Sequence, residues 1–197
     1  MMEWVVLLVL AGLFGVLPVV IYNRLVRAQN EYRNAFAQIQ VQLKRRHDLI
    51  PNLVETVRVY LQHESQTLEA VVQARNHAAG LLQAAGSKAG DASGMLPLAQ
   101  GEQQLTAALR SLNVAVEAYP ELKADQAVRD LHEELAGAEN RVAFARQAYN
   151  DAVQDYNNAR ETFPASLLAD FFGHKKNAVP LQFDDHAAIQ SAPKISL

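Results

Sequence analysis

The sequence predicts an all-α protein: an antiparallel up-and-down bundle of four helices, two long and two short, preceded by a single transmembrane helix. Three observations carry the prediction. Ala, Gln, Leu, Glu and Arg are abundant, and half of the 197 residues are apolar though only 7% are aromatic, as in helix-rich bundles. Apolar residues recur at alternating spacings of three and four along most of the chain. The run Trp4–Ile21, WVVLLVLAGLFGVLPVVI, carries no charge over 18 residues.

That run opens the first unit, residues 1–22. As a helix it spans roughly 27 Å, close to a hydrocarbon core of about 30 Å. Trp4 and Tyr22 stand at its ends as interfacial aromatics do. A cleaved signal peptide would have a basic start and a small-residue cleavage site, whereas Glu3 precedes this run and no such site follows. The expectation is a retained single-pass anchor in the cell membrane, contacting the bilayer through residues 4–21. Arg24, Arg27 and Arg33 follow the run, which places the N-terminus outside and the bundle in the cytoplasm.

The bundle is expected over residues 23–163. Tyr22, Leu25, Tyr32, Phe36, Ile39, Leu43, Ile50, Leu53, Val57 and Tyr60 form one heptad seam, interrupted by polar Gln29, Arg46 and Glu64. The phase passes through Pro51 unbroken, so 22–62 reads as one helix, although Pro51 removes the bond to the His47 carbonyl. The seam loses its apolar residues in QHESQ (62–66), where a turn is permitted but not required, and resumes with Leu68, Val71 and Val72. The Gly-, Ser- and Ala-rich segment 84–94 reads as a loop. Leu98, Leu105, Leu109, Leu112 and Val116 mark a third helix, ended by Tyr119-Pro120, with Pro120 suited to open the next. The fourth has the cleanest heptad, from Val128 through Tyr149 and Tyr156 to Phe163, and contains YNDAVQD and YNNARET at a seven-residue period. Pro164 closes it. Residues 164–197 read as a short amphipathic segment, PASLLADFFG, followed from His174 by an irregular and mobile tail.

Three stretches carry a family resemblance: YNRLVRAQNEYRNAFAQIQVQLKRRHDLIPNLVETV (22–57), HESQTLEAVVQAR (63–75) and YPELKADQAVRDLHEELAGAENRVAFARQAYNDAVQDYNNARETFP (119–164). In these the chain resembles the LemA family over nearly its whole length, most specifically in VQLKRRHDLIPNLVETV. It departs at Gln29, where the family usually has Arg, at Phe36-Ala37, where it has Trp-Ser, and at Val128, where it has Phe. The resemblance implies one N-terminal anchor and an antiparallel bundle. It implies no defined chemistry. Some members occur beside membrane zinc metalloproteases and other envelope proteins, which suggests a scaffold or adaptor.

The residues themselves point away from catalysis. Without cysteine, thiolate metal sites and cysteine nucleophiles are excluded. His47-Asp48 and His63-Glu64 are adjacent pairs whose side chains diverge by about 100° on a helix. His132-Glu133-Glu134 lacks a second ligand set, and reads as a solvated acidic face. No nucleophile elbow or phosphate-cradling loop occurs. Neither an enzyme activity nor a cofactor is expected. The net charge of −3 and the narrow basic triplet Lys44-Arg45-Arg46 give no footprint for nucleic acid.

Three sets of residues are singled out instead. Arg46 falls on the seam and needs a partner. Counting down the fourth helix puts Glu139 at its height, so Arg46, Glu139, Asp48 and Pro51 are expected to form a structural joint. Asn30 and Asn34 should meet Asn150 and Asn157 in polar layers that set register. Leu167, Leu168, Phe171 and Phe172, with Lys175 and Lys176, would lie at the membrane surface if the fourth helix returns to it. The expected function is a membrane-anchored scaffold that works by binding proteins, including copies of itself. The alternative is an adaptor or regulator of a membrane protease or other envelope complex, recognising substrate through 84–94.

Overall fold

The computed structural model describes residues 2–183, apart from the side chains of residues 5–14. Helices are the only regular elements among the described residues: α1 (Met2–Arg58), α2 (Ser65–Ala85), α3 (Ala92–Glu117), α4 (Pro120–Ala124), α5 (Gln126–Glu161) and α6 (Ala165–Leu168). α1 and α5 pack antiparallel. α2 and α3 form a hairpin that covers the half of this pair farther from the N-terminus, so the described residues form six helices rather than the expected four in the bundle plus an anchor.

Three apolar clusters are stacked along the long axis. The outermost joins Ile50, Leu53, Val57 and Leu61 of α1 and its following turn to Leu68 and Val71 of α2, Leu105, Leu109 and Leu112 of α3, and Val128 and Leu135 of α5. The next joins Tyr32, Phe36, Ile39 and Leu43 to Leu82, Met95, Leu98, Val142, Tyr149, Val153 and Tyr156. At the base, where the α2–α3 hairpin is absent, Ile21 and Leu25 pack on Ala159, Ala165 and Ala169. The heptad residues from Leu25 to Val57 are buried, whereas Tyr22 and Tyr60 at the ends of the seam are exposed. Gly101 lets α3 approach α2, since a Cβ there would collide with the Leu81 side chain.

Helix boundaries differ from the sequence expectation at several points, and the loop expected over 84–94 shortens to 86–91 because α2 runs to Ala85 and α3 starts at Ala92. α1 ends at Arg58 rather than 62; a turn follows, in which Leu61 is still buried. Beyond Leu61 the seam is polar, so a further helical turn would bury nothing. The fourth helix does not run unbroken from Pro120 to its close at Pro164 but divides into α4 of five residues and α5 of 36. Asp125 separates them because its side chain accepts from the backbone N–H groups of Ala127 and Val128. That cap satisfies the first turn of α5 and competes with continuation of the helix through residue 125. Within α1, Pro51 does not end the helix.

α1 is helical through residues 4–21, but the side chains of 5–14 lie outside the described residues. Among the described residues no helix is long and apolar enough to cross a membrane.

Candidate functional site

The first site is a polar layer between the two upper clusters. Arg46 of α1 is buried, and its guanidinium reaches three partners: Nη1 donates to Glu102 Oε2 at 2.8 Å, and Nη2 donates to Thr106 Oγ1 and Glu139 Oε1, each at 3.0 Å. His47, next in sequence, donates from Nε2 to the other Glu102 oxygen at 2.8 Å. Adjacent residues on one helix point about 100° apart, and here α3 runs where it can receive both. One carboxylate therefore takes two donors from α1, while Glu139 on α5 closes the layer from the other side. Glu102 is 1% exposed and Glu139 47%. The buried carboxylate is the principal counter-charge, because solvent weakens the outer one.

The structure brings Arg46 and Glu139 together, but the third member, Glu102, is absent from the sequence expectation. Its signal was present. Leu98, Glu102, Leu105, Leu109, Leu112 and Val116 are spaced four, three, four, three and four apart, so Glu102 is a charge on an apolar seam, as Arg46 is.

Asp48 and Pro51 act through a different neighbour. Proline has no N–H, so the His47 carbonyl loses its helical donor. Arg75 of α2 supplies the replacement, donating from Nε to His47 O at 2.9 Å, while its terminal nitrogen lies 3.6 Å from the exposed Asp48 carboxylate. The proline thus creates a hydrogen-bonding point on the side of α1, and α2 docks there.

The second site lies along α5 and corrects two expectations. Asn30 and Asn34 are exposed and, among the described residues, make no hydrogen bond to α5. The amides of Asn150 and Asn157 face the chain after α6 instead. Asn157 Oδ1 accepts from Ala178 N at 2.8 Å and Nδ2 donates to Ala178 O at 3.0 Å. Asn150 pairs in the same way with Leu181 N and O at 2.8 and 3.1 Å. The tail from His174 is irregular as expected but, as far as residue 183, it is a strap laid antiparallel on α5. Residues 184–197 lie outside the described residues.

The spacing explains the match. Seven helical residues advance about 10.5 Å, and three extended residues advance about 10 Å. Between the two amides, Val179 N donates to Gly90 O and Tyr149 Oη donates to Val179 O, both at 2.8 Å. Pro180 has no N–H to satisfy. Every backbone donor from 178 to 181 is therefore paired. The side chains of Ala178 and Leu181 are buried beneath.

Gly90 belongs to the α2–α3 loop and takes φ +82°, and a Cβ there would sit 2.9 Å from the Tyr32 ring. At the start of the strap, buried His174 accepts at Nδ1 from Tyr156 Oη, 3.0 Å away. Burial first, then the Arg33 and Arg160 guanidiniums, hold the His174 pKa below its usual value. Burial also raises the pKa values of Tyr149 and Tyr156, so both remain neutral donors. Arg160 donates to the carbonyls of His174 and Lys175 and to Asn177 Oδ1. The strap therefore uses the Tyr-Asn pair that opens each seven-residue repeat.

The third site is the base. The expected apolar set is divided: Leu168 and Phe172 turn inward, with Phe172 edge-on to Tyr22 at 5.4 Å. Leu167 and Phe171 turn outward, 73% and 86% exposed, beside Phe163 at 75%. Lys175 and Lys176 follow and are exposed. Among the described residues no group of three or more His, Asp or Glu is placed to hold a metal ion.

The sequence model of the LemA family matches residues 35–197. A curated relative, Protein LemA of Metamycoplasma hominis, is 26% identical over 158 residues, covering 80% of this chain and 68% of the relative.

Proposed function

Because the chain belongs to the LemA family, we propose that it is a membrane-anchored scaffold whose helical bundle acts by binding proteins, with no catalytic step. The anchor is the uncharged run 4–21. Glu3 before it and Arg24, Arg27 and Arg33 after it favour an outside N-terminus and a cytoplasmic bundle in the cell membrane.

The observation that carries the reading is the base of the bundle. α1 leaves it carrying exposed Val16, Leu17, Val19 and Val20, and the outward-facing Phe163, Leu167 and Phe171 stand at the same end. In water these side chains would form one apolar end face. In a bilayer the α1 residues enter the hydrocarbon and the aromatic residues lie in the interface. Lys175 and Lys176 then meet anionic headgroups, worth about 1 kcal/mol each near the surface.

The single native tryptophan, Trp4, makes the test direct. The full chain is reconstituted in bilayers containing brominated lipids. Trp4 fluorescence should be quenched, as should that of Phe171→Trp in a Trp4→Phe background, whereas Tyr119→Trp at the far end should not. An unquenched Trp4 overturns the anchor; a quenched Trp4 with an unquenched residue 171 confines membrane contact to α1. Crosslinking in intact cells then separates the two binding roles. Self-crosslinks support the scaffold, and a stoichiometric second protein without them supports an adaptor of a membrane protease or other envelope complex.

A further inference from the structure

We propose that the Tyr-Asn repeat of α5 is a binding site for an extended peptide and that its second occupant is the same strap, residues 174–183, from another copy of the chain. The site reads main chain. Asn150 and Asn157 each take both the N–H and the C=O of one strap residue, and Tyr149 and Gly90 take those of Val179 between them. Side-chain recognition adds the buried Ala178 and Leu181, His174, Asn177, which accepts from Arg160 and donates to Glu161, and Phe183, whose ring lies against the Arg146 guanidinium. A peptide of this sequence on a second copy satisfies the groove atom for atom, since the contacts are those the first copy makes with itself.

The strap is also separable from the bundle. α1, α2, α3 and α5 build the two upper clusters chiefly among themselves, and Ala178 and Leu181 are the only strap residues within their buried part. At the junction stands Gly173, φ +88°, with open space where a Cβ would be. A change of backbone torsion there redirects the strap without moving the bundle. This inference rests on the anchored reading in one respect. Chains inserted in one membrane with one orientation hold strap and groove at equal heights, so a two-fold axis along the membrane normal lets two neighbours exchange straps reciprocally.

Two full-length variants test the exchange in detergent. Asn150→Ala/Asn157→Ala keeps the strap and loses the groove; Leu181→Asp keeps the groove and loses the strap. Neither can form its own strap contact, but in a mixture the first can donate to the second. The mixture should give a heterodimer by native mass spectrometry, at least tenfold more abundant than the homodimer of either variant alone. Helicity measured by circular dichroism establishes that both variants are folded.

A labelled synthetic peptide of residues 174–183 gives a second readout. It should bind the Leu181→Asp protein saturably, and at least tenfold more weakly the Asn150→Ala/Asn157→Ala protein. No heterodimer together with no peptide binding to the folded Leu181→Asp protein overturns the proposal, as does equal peptide binding by both proteins. Neither readout needs a bilayer, so this failure is distinct from failure of Trp4 quenching, which concerns only the anchor.

Discussion

Replacing Glu102 by alanine should be among the most damaging single changes in the polar layer. In the native protein one buried carboxylate receives Arg46 Nη1 and His47 Nε2, both at 2.8 Å. In the variant the Arg46 charge keeps Thr106 and Glu139, but Glu139 is 47% exposed and its attraction is screened. The His47 ring N–H keeps no partner inside the bundle. Breaking a buried ion pair by removing one partner costs about 3–5 kcal/mol. For a chain of this size about 1 kcal/mol lowers the melting temperature by about 2–4 °C, so the expected drop is about 6–20 °C. Glu139→Ala, which removes the exposed arm alone, should cost about 0.2–1 kcal/mol. A third variant shows whether the charge or the packing matters. Arg46→Met/His47→Leu/Glu102→Leu removes the buried members of the layer together, leaving only the half-exposed Glu139, and should recover most of the loss, because apolar replacements of a buried ion-pair network are often neutral. The assay is thermal and urea unfolding of the full-length protein in detergent, followed by helical circular dichroism. If Glu102→Ala destabilises no more than Glu139→Ala, the buried carboxylate is not the principal counter-charge and the reasoning fails.

Arg75→Met should cost about 1–3 kcal/mol by leaving the His47 carbonyl without a donor. The same substitution in a Pro51→Ala background should cost clearly less, because residue 51 regains its N–H; equal costs in urea unfolding would mean that Arg75 acts elsewhere. The strap should loosen in acid. His174 is held below its ordinary pKa by burial and by Arg33 of α1 and Arg160 of α5, with Lys175 adjacent in the strap and Tyr156 donating to its neutral Nδ1. Its contribution is therefore complete above the unfolded value of about 6.5 and is lost as pH falls towards the lower folded value. Hydrogen-exchange protection of the Ala178, Val179 and Leu181 amides, corrected for intrinsic rates, should fall between about pH 7.5 and 5.5. His174→Gln should flatten that change, and protection that falls equally in the variant would place the sensitive group elsewhere.

Local pattern determined a good deal of this protein. The heptad from Leu25 to Val57 is buried as its spacing requires, because three-and-four periodicity places residues on one face of a helix whatever lies opposite. The loop between α2 and α3 follows from its glycines, and the height of Glu139 opposite Arg46 follows from rise per residue once two helices are antiparallel.

Tertiary structure decided which partner each polar group takes. Glu102 was legible as a charge on a seam, but nothing in one helix says that a third helix will deliver it to Arg46 and His47 together. Arg75 carried no local signal, because its role exists only where α2 passes the carbonyl that Pro51 leaves open. Asn150 and Asn157 were visible as a seven-residue repeat, yet an amide bonds any matching donor and acceptor within reach, and a helical period does not state what lies across from it. They met an extended strap rather than Asn30 and Asn34, because three extended residues match seven helical ones in length. The strap has no period of its own. Its order comes from main-chain groups satisfied by α5 and Gly90, which lie far from it in the sequence and which the bundle brings beside it.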